Sequence, residues 1–457
     1  MSTTPTAGRR GAGRPLTVAP AASLAFEPAH RYVPFLLVSI ALTLTFGATL
    51  GMFNLARLTT PYFGGMPASS ARAHAFVQVF GFVGLFVMGI ACHVVPRLTG
   101  RPLAAPSLTR MIVGLQCGGV LAIVAAFMLS EEQIRWAWLA GSLALVGAGS
   151  MFLFVIARTI GGLNTNVRFG RWVIAGAGWQ VVAGCGSLIA AWHNDITIVP
   201  ALWPAALWGF AGSWIFGIGR RIFPGFLGWQ PRAARAESVA FVIYQAAVAL
   251  STVAAWPALN EPPAALVAAG ALGLLIAVPL FSWCLGVGTV VMARHDVESG
   301  YQRYVVAGWL WLIVALGMGP LWALASALRG GVVPLLVTDF ARHALAFGFV
   351  TQIMMGVATR VLPAFTGNVL WSPRARTAAF YLLNASVVLR ALEVVVAVGF
   401  VPAAWPLIAI AGLPAVAAVV LFALNVVFTI FGRPNGGGRV RLSSIYNMVV
   451  RESPSAQ

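Results

Sequence analysis

The sequence predicts an all-α membrane protein of about twelve transmembrane helices, arranged as three consecutive four-helix units. Three observations lead there: an apolar composition with few charges, a succession of apolar stretches of membrane-spanning length, and one glycine-proline skeleton that recurs three times without gaps.

Of the 457 residues, 60% are apolar and only 9% charged, and the mean hydropathy is +0.88. A water-soluble domain needs a charged surface that this chain cannot supply, so its solvent is lipid. Apolar stretches lie near 31–56, 71–96, 109–130, 132–158, 171–192, 198–222, 237–257, 263–292, 304–328, 333–363, 377–400 and 404–431. At about 1.5 Å rise per residue, each is long enough to cross a hydrocarbon layer of about 30 Å. Unpaired backbone groups are too costly in lipid for anything but helices or closed barrels, and long non-alternating runs exclude the barrel.

The formal net charge of +18 would suggest nucleic acid in a soluble protein, so its distribution decides what it means. All 29 basic residues are Arg, and with the spans above 23 fall on one side of the membrane, as at Arg97, Arg101, Arg110 and at Arg220, Arg221, Arg232, Arg235. The other six are Arg57, Arg72, Arg135, Arg329, Arg342 and Arg390, and the loops on that side hold Glu131, Glu132, Asp195, Glu261 and Asp339. The positive-inside rule therefore predicts a bacterial inner-membrane protein with the Arg-rich loops and both termini in the cytoplasm. The basicity marks topology and implies a lipid partner, not a nucleic acid.

Residues 1–28, rich in Ala, Pro, Thr and Arg, read as a disordered cytoplasmic arm without a cleaved signal peptide. Residues 29–433 read as one transmembrane domain with units near 31–160, 168–292 and 303–432, and residues 434–457 as a cytoplasmic tail. Cys92, Cys117, Cys185 and Cys284 stand singly in or beside apolar stretches, as small apolar fillers do.

The repeated skeleton is Gly-Phe-x6-Gly-x6-Pro-x3-Gly. Its copies are Gly81, Phe82, Gly89, Pro96, Gly100; Gly209, Phe210, Gly217, Pro224, Gly228; and Gly348, Phe349, Gly356, Pro363, Gly367. They start 128 and 139 residues apart, about four spans each, and so mark the second, sixth and tenth helices. The Pro is expected to close each helix. Gly81, Gly348 and their partners seven or eight residues on share a face that admits either a neighbouring backbone or a flat ligand.

Two histidines stand out among six. His74 and His343 precede the last Gly of their copies by 26 and 24 residues, which is about 39 and 36 Å of helix. They thus reach nearly equal depth near the outer ends of the second and tenth helices, where an ionisable residue is a functional hypothesis by default. Two neutral imidazoles at one height suit axial ligation of a haem, and Arg72, Arg342 and Arg390 would meet its propionates. The alternative at this point is that each His hydrogen-bonds across the bundle and Arg390 pairs with Glu393 in its own helix. His93, three residues before Pro96, aligns with Arg221 and Arg360 and reads as a cation at a helix C-terminus. Trp192, Trp203, Trp256 and Trp405 read as interfacial belt residues.

The second helix begins Ala73-His74-Ala75-Phe76-Val77-Gln78-Val79-Phe80-Gly81-Phe82 and ends Pro96-Arg97-Leu98-Thr99-Gly100-Arg101-Pro102. This resembles the NnrS family, whose segment starts His-Ala-His-Glu-Met-Leu-Phe-Gly-Phe and ends Pro-x-x-Thr-Gly-Arg-Pro. Arg342-His343-Ala344-Leu345, Gly348 and Ala358-Thr359-Arg360 resemble that family's tenth-helix pattern. Phe76 and Val77 stand where the family has a second His and a Glu. The same two helices resemble, more distantly, subunit I of the haem-copper oxidases, twelve helices in three arcs of four.

These resemblances imply a haem-copper oxidase subunit I-like fold and one low-spin haem of type b between His74 and His343. They imply a role in the response to nitric oxide and nitrosative stress or in electron transfer, with a redox partner, a gas such as nitric oxide, or further subunits as partners. The position that would ligate an oxygen-reducing haem is Ala341, and the sixth and seventh spans hold no His, so copper has no ligand cluster. An oxidoreductase with a second metal site supplied elsewhere, and a haem-free transporter with Glu393, Arg390, Gln352 and Gln78 along its path, are the competing readings.

Overall fold

Among the described residues, twelve helices are long and apolar enough to cross a membrane: α1 Val33–Thr59, α2 Ala68–Thr99, α3 Leu108–Met128, α4 Arg135–Ile160, α5 Arg168–His193, α6 Ile196–Leu227, α7 Arg235–Ala254, α8 Ala264–Leu285, α9 Tyr301–Leu328, α10 Leu335–Thr366, α11 Pro373–Ala397 and α12 Ala404–Phe431. The chain is therefore a multi-pass membrane protein whose environment is the bilayer. The computed structural model describes residues 31–60, 65–128, 131–162, 167–232, 234–256, 263–289, 300–399 and 401–432, and contains no strand among them. The arm expected at 1–28 and the tail expected at 434–457 lie outside the described residues.

The three repeat helices are the inner ones. Between 72% and 78% of the most apolar stretch of α2, α6 and α10 is buried, against 28–50% for the other nine, which present their surplus apolar surface to lipid. Glycine makes that packing possible. A Cβ at Gly89 would lie 2.6 Å from Phe35, one at Gly217 2.8 Å from Trp172, and one at Gly356 2.5 Å from Tyr304. Two turns earlier, Gly81, Gly209 and Gly348 meet Leu42, Trp179 and Trp311 in the same way. The partners are seven residues apart in every case, so α1, α5 and α9 cross α2, α6 and α10 in one common register. Gly217→Leu should force α5 and α6 apart and destabilise the fold by about 1–3 kcal/mol, the usual cost of overpacking. A lower thermal midpoint in detergent, with Gly178→Leu in open space as the unaffected control, checks this.

Each inner helix also carries a wide-turned π segment, Val77–Gly84, Pro204–Gly212 and Ala344–Thr351, around the Gly-Phe pair of its repeat. Such turns interrupt the ordinary ladder, and the freed carbonyls need donors inside lipid. Gln116 Nε2 donates to the Phe80 carbonyl at 2.8 Å, Tyr244 Oη to the Trp208 carbonyl at 2.6 Å, and Thr351 Oγ1 to the Ala346 carbonyl at 2.9 Å. Polar residues within the membrane are thus spent on backbone that the π turns expose.

The proline expectation needs correction. Pro96, Pro224 and Pro363 lie inside their helices, which run on to Thr99, Leu227 and Thr366. A proline this close to the end disrupts only the last turn. The stop is made by Gly100, Gly228 and Gly367, whose φ of 66°, 69° and 73° puts them in the left-handed region that glycine enters without a Cβ clash.

Candidate metal-ligating histidine pair

His74 and His343 come together. They lie near the N-terminal ends of α2 and α10, and their imidazole centroids are 6.5 Å apart with the ring planes within 12° of parallel. A metal–imidazole bond of about 2 Å, with the ring nitrogen about 1.2 Å from its centroid, separates two opposed ligand rings by about 6.3 Å. The pair therefore has the spacing that one metal ion between two imidazoles requires.

The Nδ1 side of each ring is held by a backbone carbonyl. His74 Nδ1 lies 2.9 Å from the Gly47 carbonyl of α1, and His343 Nδ1 lies 2.9 Å from the Asp339 carbonyl one turn earlier in α10. A carbonyl only accepts, which puts the His74 proton on Nδ1 and leaves its Nε2 as the lone-pair nitrogen. An imidazole oriented by a backbone acceptor on its other nitrogen is the usual arrangement of a metal ligand. The Gly47 carbonyl is available because α1 has its own π segment, Thr43–Gly47, ending at φ −91° and ψ −100°. One turn on, Gly51 gives the ring its clearance, since a Cβ there would stand 2.5 Å from His74 Cε1.

A charged cluster backs His343. Arg390 of α11 pairs with Asp339, with Glu393 at 2.8 Å, and approaches His343 Nδ1 at 3.1 Å. A guanidinium N–H only donates, so at His343 Nδ1 Arg390 and the Asp339 carbonyl call for opposite tautomers, while Arg390 also serves the two carboxylates. Glu393 is buried, at 1% exposure, so the expected i, i+3 pair exists, but as part of a three-residue cluster with Asp339.

The remaining expected site residues lie elsewhere. Arg72 packs its guanidinium over the Phe127 ring at 5.6 Å, with a buried, unpaired Nε. Arg342 is half-buried beside His343. Gly81 and Gly348, read as faces for either a neighbouring backbone or a flat ligand, lie against Leu42 and Trp311 of the preceding helix. His93 is not a terminal cation: it is buried to 1% exposure between Tyr32 and Phe365, whose centroids lie 4.6 and 3.8 Å away. Trp203 is likewise no belt residue, being buried against Phe76 at 5.8 Å, whereas Trp192 is exposed as a belt residue should be. Asp195 accepts from the Thr197 backbone and hydroxyl at 2.8 and 2.6 Å, which holds its carboxyl below the usual carboxylate range and caps the start of α6.

Among the described residues, no group of three or more His, Cys, Asp or Glu side chains is placed to hold a metal ion. Phe216 of α6 packs against Phe281 of α8, Tyr244 of α7 and Trp309 of α9, with ring centroids 4.7, 5.3 and 6.0 Å away.

Twelve spans packed around α2, α6 and α10 make this an all-helical multi-pass membrane protein. The structure is similar to that of a haem-copper terminal oxidase dimer solved by cryo-EM, at TM-score 0.51 and 12% identity over 93% of this chain and 90% of that one. No curated protein matches the sequence. The pattern of the NnrS proteins matches residues 25–434, and the chain belongs to the NnrS family.

Proposed function

We propose that this chain is a haem-binding protein of the bacterial inner membrane, with both termini cytoplasmic, that holds one low-spin haem of type b between His74 and His343. The single observation that carries the reading is the ring pair, 6.5 Å apart, nearly parallel and oriented through Nδ1 on both sides. Family membership and the oxidase-like fold support a haem in this kind of bundle. Bound there, haem would supply reversible one-electron chemistry. The residues of the chain supply the rest: Gly47 and the Asp339 carbonyl orient the imidazoles, and Gly51 clears space for one of them. Arg390 is the cation nearest the pair and is available to an outward carboxylate as well as to Asp339 and Glu393.

The family implies a role in the response to nitric oxide and nitrosative stress. His74 and His343 would together hold the haem, and the chemistry such a group would supply most simply is electron transfer to or from a redox partner.

Pyridine haemochrome analysis of the purified protein tests the reading and is expected to give one type b haem per chain. A colourless protein from haem-replete cells rejects it. Gly51→Ala is expected to push the His74 ring off its carbonyl and weaken haem retention by about 10–100-fold, the usual effect of disturbing a ligand's support. Competition with apomyoglobin measures this, and unchanged haem transfer would contradict the role given to Gly51.

A further inference from the structure

Three polar side-chain atoms deep in the bundle have no protein partner. Gln116 of α3 and Gln180 of α5 are buried, at 0% and 1% exposure. Gln116 Oε1 and both amide atoms of Gln180 find no hydrogen-bond donor or acceptor among the described residues. The two side chains converge on Gly84, near the midpoint of α2, where a Cβ would lie 3.2 Å from Gln116 Nε2 and 3.9 Å from Gln180 Nε2. The Val79 carbonyl oxygen is 3.4 Å from the same point.

The second repeat fills the matching place differently. Tyr244 and Trp208 lie 128 residues beyond Gln116 and Phe80, the offset between the first two copies of the skeleton. Gln116 and Tyr244 each donate to the matching carbonyl of a π segment, Phe80 in one case and Trp208 in the other. The Tyr244 hydroxyl takes up the space beside Gly212, where a Cβ would run into it. An amide that spends its nitrogen on the Phe80 carbonyl has an oxygen left over, and Gln180 brings a second amide to the same glycine.

We infer that Gln116 and Gln180 hold a water molecule between them at the middle of the membrane. Buried polar groups without a protein partner are costly, and an internal water making about three hydrogen bonds is the usual way of satisfying them. Such a water donates to Gln116 Oε1 and accepts from Gln180 Nε2, with its second proton available to Gln180 Oε1 or the Val79 carbonyl. An apolar occupant leaves all three amide atoms as they are. A cation of the calcium type needs about six oxygen ligands or more, and two neutral amides with one carbonyl fall short of that shell. The water in turn fixes the Gln116 amide, which holds the Phe80 carbonyl of the α2 π segment. Neither the histidine pair nor haem enters this inference, so it and the proposed function can fail separately.

A high-resolution crystal structure of the full chain tests it. The expected result is a compact density peak within about 3.2 Å of both Gln116 Oε1 and Gln180 Nε2. It should be lost in Gln180→Leu, which removes two of the polar atoms, and in Gly84→Ala, whose methyl takes the same space. Crystals grown in rubidium in place of sodium should show no anomalous signal there. A direct bond between the two amides with no peak between them would overturn the inference. So would a rubidium peak, continuous chain-like density, or a peak unchanged in Gln180→Leu. The map of the unmodified chain decides the matter if either variant fails to fold.

Discussion

His74→Ala and His343→Ala are each expected to abolish the low-spin haem spectrum of the purified protein and to lower its haem content at least tenfold. The size of the effect follows from geometry. Two rings on different helices lie nearly parallel with their centroids at ligand spacing, each held at Nδ1 by a backbone carbonyl, and a haem held between them would lose one of its two protein ligands. A tenfold loss corresponds to only about 1.4 kcal/mol, a small part of what a metal–imidazole bond contributes, so the estimate is conservative. Exogenous imidazole should partly restore the spectrum of His74→Ala, because the space opened beside Gly51 matches the ring removed. Absorbance at the Soret and α bands is the measurement. A variant that keeps full haem content and an unaltered spectrum would remove that residue from the ligand set.

Arg390→Met should have the second largest effect, this time on stability. Glu393 is at 1% exposure inside a membrane helix, and Arg390 is its ion-pair partner as well as that of Asp339. Removing one partner of a buried pair leaves an uncompensated charge and costs about 3–5 kcal/mol. Arg390→Lys should recover part of this, since the ammonium keeps the charge but cannot fork to two carboxylates. The double variant Arg390→Met with Glu393→Gln should be more stable than Arg390→Met alone, because the amide needs no counterion. Thermal midpoints of the four proteins in one detergent measure the pattern. Equal midpoints for Arg390→Met and the parent would show that the cluster contributes nothing.

Much of this was legible in the sequence, and the reason is the repeat. Counting residues back from Gly100 and Gly367 places His74 and His343 at one depth, because each helix is anchored at its glycine end by a left-handed residue. The spans were legible from length and hydropathy, most to within a few residues, although the eighth ends at Leu285, seven residues before the expected boundary. The errors have physical causes. The helices outlast their prolines because a proline in the last turn disrupts little. Gly81 and Gly348 left helix packing and a flat ligand both open, because a smooth helix surface looks the same whether a helix or a cofactor lies on it.

What the sequence concealed is backbone. The anchor of His74 is the carbonyl of Gly47, freed by a π turn in α1, and no side chain announces it. The only available signal was the Gly47-x3-Gly51 spacing in the first apolar stretch. Asp339 was counted with the outer acids by its place in the chain, yet it lies in α10 and joins Arg390 and Glu393 through the packing of α10 on α11. Such a three-residue cluster is a property of tertiary structure. His93 misled because its counterparts in the other copies are arginines, whereas its own surroundings are the rings of Tyr32 and Phe365.

Electron paramagnetic resonance of the oxidised protein at cryogenic temperature tests the central claim most directly, because it reports both the axial ligands and their mutual orientation. Imidazole planes within 12° of each other predict a rhombic low-spin ferric signal that disappears in His343→Ala. A high-spin signal in the unmodified protein, or a low-spin signal that survives that substitution, would contradict the account.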